Sequence, residues 1–467
     1  MRKWLSVFLI SILSVFAAKA QITFERIYNR IGNDAAYDVA QCTDGGFILA
    51  GSTDLNNIFI IRTNAYGDTI WSRHLGYIDA YSVKQTIDGG FIITGSTLNP
   101  DTAGGINRDL YLIKTNPNGD TLWTRRFGGK RDDVGFCVAQ TIDSGYIVTG
   151  ETNDSLTNVS CIFLVKTNTN GNLLWKRKIG NQNHCYSHSV HQTTDGGYII
   201  SGSSENYTSY QEDVYLVKTN STGDTLWTRT YGGTQADYSW DVVPTNDGGY
   251  IVGGTTGSYG AGSNDFYAIK TNANGDTLWT RTYGGIDIDE LSSIVQTNDG
   301  GYALAGITYS FGAGNEDVYL VRINSVGDTL WTRTFGGALY DGGHLGMVKT
   351  SDGGFAIGGM SNSYGALDND FYLIKTDENG FATAIAENSK ITNNTISISP
   401  NPATTNLTIQ TPLTSTIGIF DLEGQCLKTL PNAQPTTTID VSGLPAGIYF
   451  IKATSEKGTE VRKFIKE

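Results

Sequence analysis

A tryptophan recurs every 52 residues through most of this chain, and this period limits the folds open to it more than any other feature. The six copies are evenly spaced, and they are Trp71, Trp123, Trp175, Trp227, Trp279 and Trp331. Phe24 takes the same place in a weaker seventh copy at the start of the array. A long fixed repeat indicates structural units that each bury an apolar face against the next unit.

Each unit contains four strand-like runs separated by turn residues. In one clear copy the runs are residues 293–297, 302–306, 317–322 and 330–335. An Asp-x-Gly turn separates the first two runs, and a second glycine turn precedes the last. Glycine suits such turns because it tolerates positive φ. Four-stranded antiparallel units at this period are typical of the blades of a β-propeller.

The blade number follows from counting these elements. The Asp-x-Gly turn occurs seven times, at Asp44, Asp88, Asp143, Asp195, Asp247, Asp299 and Asp352. The fourth strand also occurs seven times, but its first copy, around Phe24, precedes all other strands, and the last unit lacks one. We therefore predict an all-β, seven-bladed β-propeller whose N-terminal strand completes the last blade and leaves no open sheet edge at the seam.

The blades resemble two known propeller families. The order of a glycine-ended strand, a D-V-Y strand and then tryptophan is similar to kelch-type blades, and Gly275 to Trp279 is similar to the G-x-x-x-W pattern of quinoprotein-type propellers. The double glycine of kelch blades is often Gly-Ser here, as at residues 51–52. The resemblance implies the fold and no particular activity, since propellers host many functions.

The N-terminus is typical of a signal peptide in residues 1–20. Arg2 and Lys3 precede an apolar stretch at residues 4–16, and Ala18-Lys19-Ala20 forms a cleavage site. The apolar stretch is too short to span a bilayer as a helix, and no other segment is predicted to be a transmembrane span. We predict a propeller at 21–383 and a polar linker at 384–395.

Residues 396–467 contain short alternating strands and predict a small Ig-like β-sandwich. The segments at 399–402, 419–424, 439–449 and 463–466 resemble the C-terminal sorting domain of the bacterial type IX secretion system. This resemblance implies Sec export, the type IX secretion machinery as a partner, and a secreted or outer-surface location. Cleavage of the domain is left open, and an Ig-like binding module is the alternative.

Charge and cysteine content narrow the partners further. The net charge is −13, which repels phosphate backbones, so we expect no nucleic acid partner. The five cysteines include no C-x-x-C pair. An oxidising destination allows a disulfide, but the pairing stays open.

Basic residues repeat with the blades, and we interpret them as structural. An arginine stands two residues after the tryptophan or Phe24 in all seven units. Seven arginines match seven turn aspartates in number, and arginine both stacks on tryptophan and pairs with carboxylates. We therefore predict that Arg281 pairs with a turn aspartate of its own or the neighbouring blade.

The sequence contains no recognised catalytic motif. His184, His188 and His191 form the only histidine cluster and are weak candidates for metal ligands. His188 and His191 would point to opposite faces of a regular strand. In the repeat, His188 aligns with Tyr37, Tyr81, Phe136 and Trp240, which is an aromatic place, so we predict neither a metal site nor a catalytic set.

A binding surface is the stronger prediction. Aromatic and carboxylate groups cluster in the loops of one propeller face, and such groups suit carbohydrate binding or calcium-dependent binding. Calcium is the only cofactor that this composition suggests. The alternative is that these residues cap strands and pack loops. The candidates are Tyr259, Phe311, Tyr364, Trp240, Asp133, Asp237 and Asp289.

These features favour a secreted or cell-surface interaction module that recognises a glycan or an extracellular surface protein without catalysis. Two alternatives stay open. One is an extracellular glycan-active enzyme that uses top-face carboxylates, and the other is a structural envelope protein with no small ligand.

Overall fold

The computed structural model of the chain divides into two compact units, which meet in sequence between Ile385 and Ala386. The structure describes residues 21–28, 32–53, 57–77, 79–99, 107–153, 159–180, 184–206, 211–364, 368–383, 397–411, 413–421, 426–455 and 458–467. The predicted signal peptide and the predicted linker lie outside these ranges. Within them, no helix could cross a membrane.

The described residues of the first unit form 28 strands. In chain order they are β1 (Phe24–Tyr28), β2 (Asp34–Gln41), β3 (Phe47–Thr53), β4 (Asn57–Thr63), β5 (Thr69–Tyr77), β6 (Ala80–Gln85), β7 (Phe91–Asn99), β8 (Asn107–Thr115), β9 (Thr121–Phe127), β10 (Asp133–Gln140), β11 (Tyr146–Asn153), β12 (Ser160–Thr167), β13 (Leu173–Ile179), β14 (Cys185–Gln192), β15 (Tyr198–Asn206), β16 (Gln211–Thr219), β17 (Thr225–Tyr231), β18 (Asp237–Pro244), β19 (Tyr250–Thr256), β20 (Asp265–Thr271), β21 (Thr277–Tyr283), β22 (Asp289–Gln296), β23 (Tyr302–Thr308), β24 (Asp317–Ile323), β25 (Thr329–Phe335), β26 (Asp341–Lys349), β27 (Phe355–Ser361) and β28 (Asp370–Lys375).

These strands form seven four-stranded antiparallel sheets, which we number as blades 1 to 7. Blades 1 to 6 use consecutive strands, from β2–β5 to β22–β25, and blade 7 contains β26, β27, β28 and β1. We call the strands of a blade a to d from the central channel outward. The predicted seven-bladed propeller, with the N-terminal strand as strand d of the last blade, is confirmed.

Backbone and side-chain contacts close the seam between the first and last strands of the propeller. β1 pairs with β28 from Phe24 opposite Lys375 to Tyr28 opposite Phe371. The buried carboxylate of Glu25 accepts a hydrogen bond from the Tyr372 hydroxyl. The ring therefore has no free sheet edge at the seam, which protects it from edge-to-edge association.

Each strand-d tryptophan packs across a blade junction. The Trp279 ring lies 6.1 Å from the Tyr302 ring of the next blade in an edge-on arrangement. It also covers the c–d turn at Gly327, where a Cβ would lie 3.2 Å from the indole. The absence of a side chain on the glycine allows this close approach, so the tryptophan and the glycine recur together.

The predicted partner of Arg281 is wrong. Its guanidinium lies 6.0 Å from the Trp279 ring centroid and donates a hydrogen bond to the Thr280 carbonyl. The aspartates of the Asp-x-Gly turns instead pair with buried cations of strand c in the same blade, because this strand ends beside the a–b turn. At 2.5–3.0 Å the pairs are Arg62–Asp44, Lys114–Asp88, Lys166–Asp143, Lys218–Asp195, Lys270–Asp247, Arg322–Asp299 and Lys375–Asp352.

These turn pairs predict acid sensitivity. Partial burial of Asp195 opposes ionisation, but hydrogen bonds from Lys218, Thr193 and Gly197 outweigh it and lower the pKa of Asp195 to about 2. The pKa of Asp247 is also lowered to about 2, in the same way. A carboxylate with a lowered pKa stabilises the folded state above its unfolded pKa, and that stabilisation is lost as the pH falls through the folded value.

We therefore expect the free energy of unfolding to fall between about pH 4 and pH 2, and to fall less steeply in an Asp195→Asn/Asp247→Asn variant. Urea denaturation at several pH values would measure both slopes. Asp287→Asn/Asp276→Asn is a control with two aspartates outside these turns. Equal slopes for the two variants would contradict the assignment.

The second unit is a small two-sheet β domain. Its apolar core includes Leu407, Ile417, Ile451 and Phe464, all of which are buried. One sheet has the strand order β29-β30-β33 and the other β32-β31-β34-β35. The strands are β29 (Ser397–Ser399), β30 (Asn406–Gln410), β31 (Ser415–Phe420), β32 (Cys426–Ala433), β33 (Thr436–Asp440), β34 (Gly447–Ser455) and β35 (Gly458–Lys466).

Candidate functional site

The central channel of the propeller forms a large concavity in the first unit. Strand a of all seven blades contributes to its lining, together with turn residues of blades 5 and 6, and it encloses about 1170 Å³. A concave site with apolar walls and a few polar groups is the usual form of a ligand site.

A bulge in strand a of each blade decides which side chains line the channel. In blade 1, Ala36 and Asp38 pair with consecutive residues of strand b, so Tyr37 is the extra residue. The same shift occurs around Tyr81, Phe136, His188, Trp240 and Ser292, and blade 7 has a longer irregularity that contains His344. A bulge changes the direction of the extra side chain, and all seven of these residues line the channel.

Six of these side chains form a closed belt of aromatic rings around the channel. Neighbouring ring centroids lie 4.4–6.4 Å apart around the whole belt. Blade 6 contributes Ser292 in place of a ring, and Trp240 and His344 meet across it at 4.8 Å. We call this set the aromatic belt, and it consists of Tyr37, Tyr81, Phe136, His188, Trp240 and His344.

The histidines of the aromatic belt are uncharged at neutral pH. Burial lowers the pKa of His188 to about 4, against the opposing effect of its hydrogen bond to Ser239. Its Nδ1 lies 3.0 Å from the Ser239 carbonyl oxygen. A carbonyl only accepts, so Nδ1 carries the proton and donates. Burial also lowers the pKa of His344. The belt therefore presents neutral ring faces and edges.

Polar side chains line the channel on the a–b turn side of the belt. The Asp38 carboxylate accepts hydrogen bonds from Lys84 Nζ (2.6 Å) and Ser82 Oγ (3.0 Å). The Asp241 carboxylate accepts from Ser189 Oγ (2.8 Å) and Ser293 Oγ (3.1 Å), which belong to the two neighbouring blades. We call these six residues the polar floor. They tie adjacent strands together and place hydroxyl, carboxylate and ammonium groups beside the aromatic rings.

Lys84 is the cation of the polar floor. Burial lowers its pKa, but the Asp38 carboxylate, with smaller contributions from Cys137 and Asp241, outweighs burial and raises the pKa overall. The side chain is nevertheless 39% exposed, and this exposure is toward the channel that it lines. An ammonium has three N–H donors, and Asp38 takes one of them.

Of the seven predicted binding residues, Trp240 lies in the channel. Tyr259, Phe311 and Tyr364 lie in b–c loops, and each ring packs against a strand-c tyrosine of its own blade, with centroids 5.3–6.2 Å apart. The Tyr259 hydroxyl also donates to the Gly232 carbonyl (2.8 Å). These loop rings thus have a packing role, although 47% of Tyr259 stays exposed. Ligand binding by the loops stays a prediction.

The three predicted aspartates are buried and hold loops. Asp133, Asp237 and Asp289 each accept a hydrogen bond from the backbone N–H four residues earlier, at Gly129, Gly233 and Gly285 (2.7–2.8 Å). Each is the first residue of its strand a and precedes the bulge residue of that strand in sequence. None of the three lines the channel. A ligand role for these carboxylates stays a prediction.

The histidine cluster is divided by the fold. His188 and His191 both line the channel, so the predicted opposite orientation is wrong, because the bulge at His188 shifts the alternation by one residue. His184 instead accepts a hydrogen bond at Nδ1 from the Ser160 N–H (3.1 Å). Within the described ranges, no three His, Cys, Asp or Glu side chains are placed to hold a metal ion.

Sequence reasoning named Trp240 as a binding residue and His188 only as a candidate metal ligand, and it missed the other four belt residues. The available signal was the shared repeat position of Tyr37, Tyr81, Phe136, His188 and Trp240. One place per blade occupied by an aromatic side chain near the innermost strand indicates a ring of side chains at one level of the channel.

Comparison with known proteins places the second unit in a family. Residues 397–467 match the family of secretion system C-terminal sorting domains, which implies export by the type IX secretion system. The chain is therefore a secreted or outer-surface protein. No curated protein matches it significantly.

Two solved structures are similar to this chain at low sequence identity. One is PorZ, an essential bacterial surface component of the type-IX secretion system of Porphyromonas gingivalis, which is 12% identical with a TM-score of 0.42. That match covers 91% of this chain and 58% of PorZ, so this chain spans less than two thirds of PorZ. The Dos1 propeller is 12% identical with a TM-score of 0.45, and the match covers 83% of this chain and 93% of that one.

Proposed function

We propose that this secreted propeller is a non-catalytic binding module whose central channel receives part of a cell-surface or extracellular glycan. The observation that supports this most is the aromatic belt, because it gathers six neutral rings from six blades at one level of the channel. Packing of adjacent strands alone would be served by aliphatic side chains.

The chemistry of the belt suits a sugar. Aromatic rings present large, rigid apolar surfaces at low cost in conformational entropy, and Trp and Tyr also offer a polar edge. Pyranose rings carry apolar C–H faces that stack on such surfaces. The ring of Trp240 touches both His188 and His344, so its orientation is fixed before a ligand arrives. A fixed orientation reduces the entropic cost of binding.

The polar floor complements the belt. Ser189, Ser293 and the remaining N–H donors of Lys84 can hydrogen-bond sugar hydroxyl groups. The carboxylates of Asp38 and Asp241 each already accept several hydrogen bonds. Carboxylate oxygens that are already occupied by these donors offer few free lone pairs to a substrate, which favours a positioning role in binding over acid–base catalysis.

The test is a glycan array and polysaccharide pull-down with the chain from Gln21 to Glu467, followed by calorimetry on the best ligand. We expect Trp240→Ala to weaken binding about tenfold or more, equivalent to about 1.4 kcal/mol. Tyr259→Ala is the matched control, since it removes an aromatic ring outside the channel. Thermal melts of both variants separate lost binding from lost folding.

The outcomes separate the alternatives. Loss of binding in Tyr259→Ala but not in Trp240→Ala would move the site to the b–c loops. Binding that needs calcium would also contradict the channel site, because its carboxylates are saturated by N–H and O–H donors. No glycan bound by the folded chain would overturn the proposal and favour a protein partner or a structural role.

A further inference from the structure

The junctions between blades carry a repeated pair of side chains, one from strand c and one from strand a of the next blade. In five of the seven junctions both are aspartates, and in four of these the two residues are 24 positions apart. The pairs are Asp109/Asp133, Asp213/Asp237, Asp265/Asp289, Asp317/Asp341 and, across the seam, Asp370/Asp34.

The two members of a pair converge on one glycine of the d–a loop. A Cβ on Gly284 would overlap Asp265 Oδ1 and lie 2.7 Å from Asp289 Oδ2. Gly128, Gly232 and Gly336 stand in the same relation to their own pairs. Burial, with a smaller effect of the Asp289 charge, raises the pKa of Asp265. The two side chains therefore share one small buried space at each junction.

At the junction of blades 3 and 4 both places hold cysteine. Cys161 begins the strand-c motif of β12, and Cys185 begins β14, again 24 residues apart. The matching glycine is Gly180, where a Cβ would lie 3.4 Å from Cys185 Sγ and 3.7 Å from Cys161 Sγ. The two sulfur atoms therefore occupy the space that two carboxylates share elsewhere.

The two places change together along the chain. Where one is aspartate the other is also aspartate, and at the junction of blades 1 and 2 the sequence has Asn57 and Ile78, with neither acidic. A single cysteine opposite an aspartate would be the expected result of independent changes. Paired replacement at two contacting places indicates that the cysteines act on each other.

We propose that Cys161 and Cys185 form a disulfide that ties blade 3 to blade 4 in the exported protein. One S–S bond forms between the two Sγ atoms, and the two thiols lose two protons and two electrons. These reduce the disulfide of an oxidant of the envelope thiol-oxidase class to two thiols. An exported chain meets such oxidants outside the cytoplasm. A disulfide needs its two sulfur atoms in one small space, which the shared position at Gly180 provides.

The other three cysteines do not occupy these two repeat positions. Cys42 is buried in an apolar cluster of blades 1 and 2, and burial raises its pKa to about 12. Cys137 lines the channel, and burial raises its pKa to about 11 despite the charge of Lys84. Cys426 belongs to the second compact unit. Thiols with raised pKa react slowly, and residues 386–467 contain no second cysteine with which Cys426 could pair, so three thiols are expected to persist.

Thiol counting tests the proposal on the chain from Gln21 to Glu467, exported to the periplasm of a bacterial host and purified without reductant. In denaturant we expect three thiols per chain before reduction and five after it. Removing one cysteine by Cys161→Ser should raise the unreduced count from three to four. Cys137→Ser, the matched control, should lower it from three to two.

The opposite outcomes are equally definite. Five thiols before reduction, falling to four in both single variants, would overturn the proposal. In the Cys137→Ser protein, the unreduced tryptic digest should contain residues 132–166 linked to residues 179–218, and any other linkage would also overturn it. Cys161→Asp/Cys185→Asp restores the carboxylate pair of the other junctions, and it should give three thiols with and without reductant.

Discussion

Replacing Phe24 with alanine is expected to lower the free energy of unfolding of the propeller by about 3–5 kcal/mol, the usual cost of truncating a buried phenylalanine. Phe24 is 3% exposed and lies in β1, the strand that completes blade 7. Its ring packs on Phe47 of blade 1 with centroids 6.2 Å apart. The side chain therefore connects blade 7 to blade 1. The other three strands of blade 7 lie more than 300 residues after Phe24 in sequence.

The loss at this position is large because β1 contributes to two interfaces at once. It supplies the outer strand of blade 7 and, through Phe24, packs on blade 1. A chain that lacks residues 21–28 would also leave Tyr372 without the Glu25 carboxylate and expose the edge of β28. We expect that truncated chain to unfold without a single cooperative transition and to self-associate through the free edge.

Urea denaturation followed by tryptophan fluorescence measures the effect. Ile70→Ala is the control, because Ile70 lies in strand d of blade 1 and is 55% exposed, and we expect it to change stability by less than about 0.5 kcal/mol. Similar values for Phe24→Ala and Ile70→Ala would mean that the seam contributes little to stability.

The architecture was predictable from the sequence because the repeat encodes it at several places in each blade. The even spacing of the tryptophans fixes the blade length, and the position of Phe24 ahead of all other strands identifies the closing strand. Both inferences depend on periodicity and on the need to pair a sheet edge, which act along the whole chain. Neither depends on the exact geometry of any one residue.

The side-chain geometry was not predictable to the same degree, because it depends on local shifts of register. Alternation along a regular strand places His188 and His191 on opposite faces, but a one-residue bulge brings both to the channel. Matching the turn aspartates to cations by number alone selected the wrong cations. The strand-c cation, Lys270 in blade 5, and the strand-d arginine, Arg281 in the same blade, each recur once per blade in the sequence. Only the end of strand c, where Lys270 lies, reaches the turn at Asp247.

Replacing Trp279 with alanine is the second change for which we expect a large effect, a loss of about 3 kcal/mol in the free energy of unfolding. This value is at the lower end for a large aromatic residue because Trp279 is half-buried rather than fully enclosed. The change would remove the contact with the Tyr302 ring, uncover Gly327 and leave the Arg281 guanidinium without the ring on which it lies.

Leu278→Ala provides the matched control for this prediction, since Leu278 is the adjacent residue of the same strand and is 58% exposed. We expect it to cost less than about 0.5 kcal/mol. Urea denaturation of both variants, followed by far-ultraviolet circular dichroism, tests the difference directly. Equal midpoints would show that the tryptophan period marks something other than junction packing. A large loss of unfolding free energy confined to Trp279→Ala would mean that each 52-residue repeat places one essential packing contact at a blade junction. The stability of the propeller would then depend on the stability of its individual junctions.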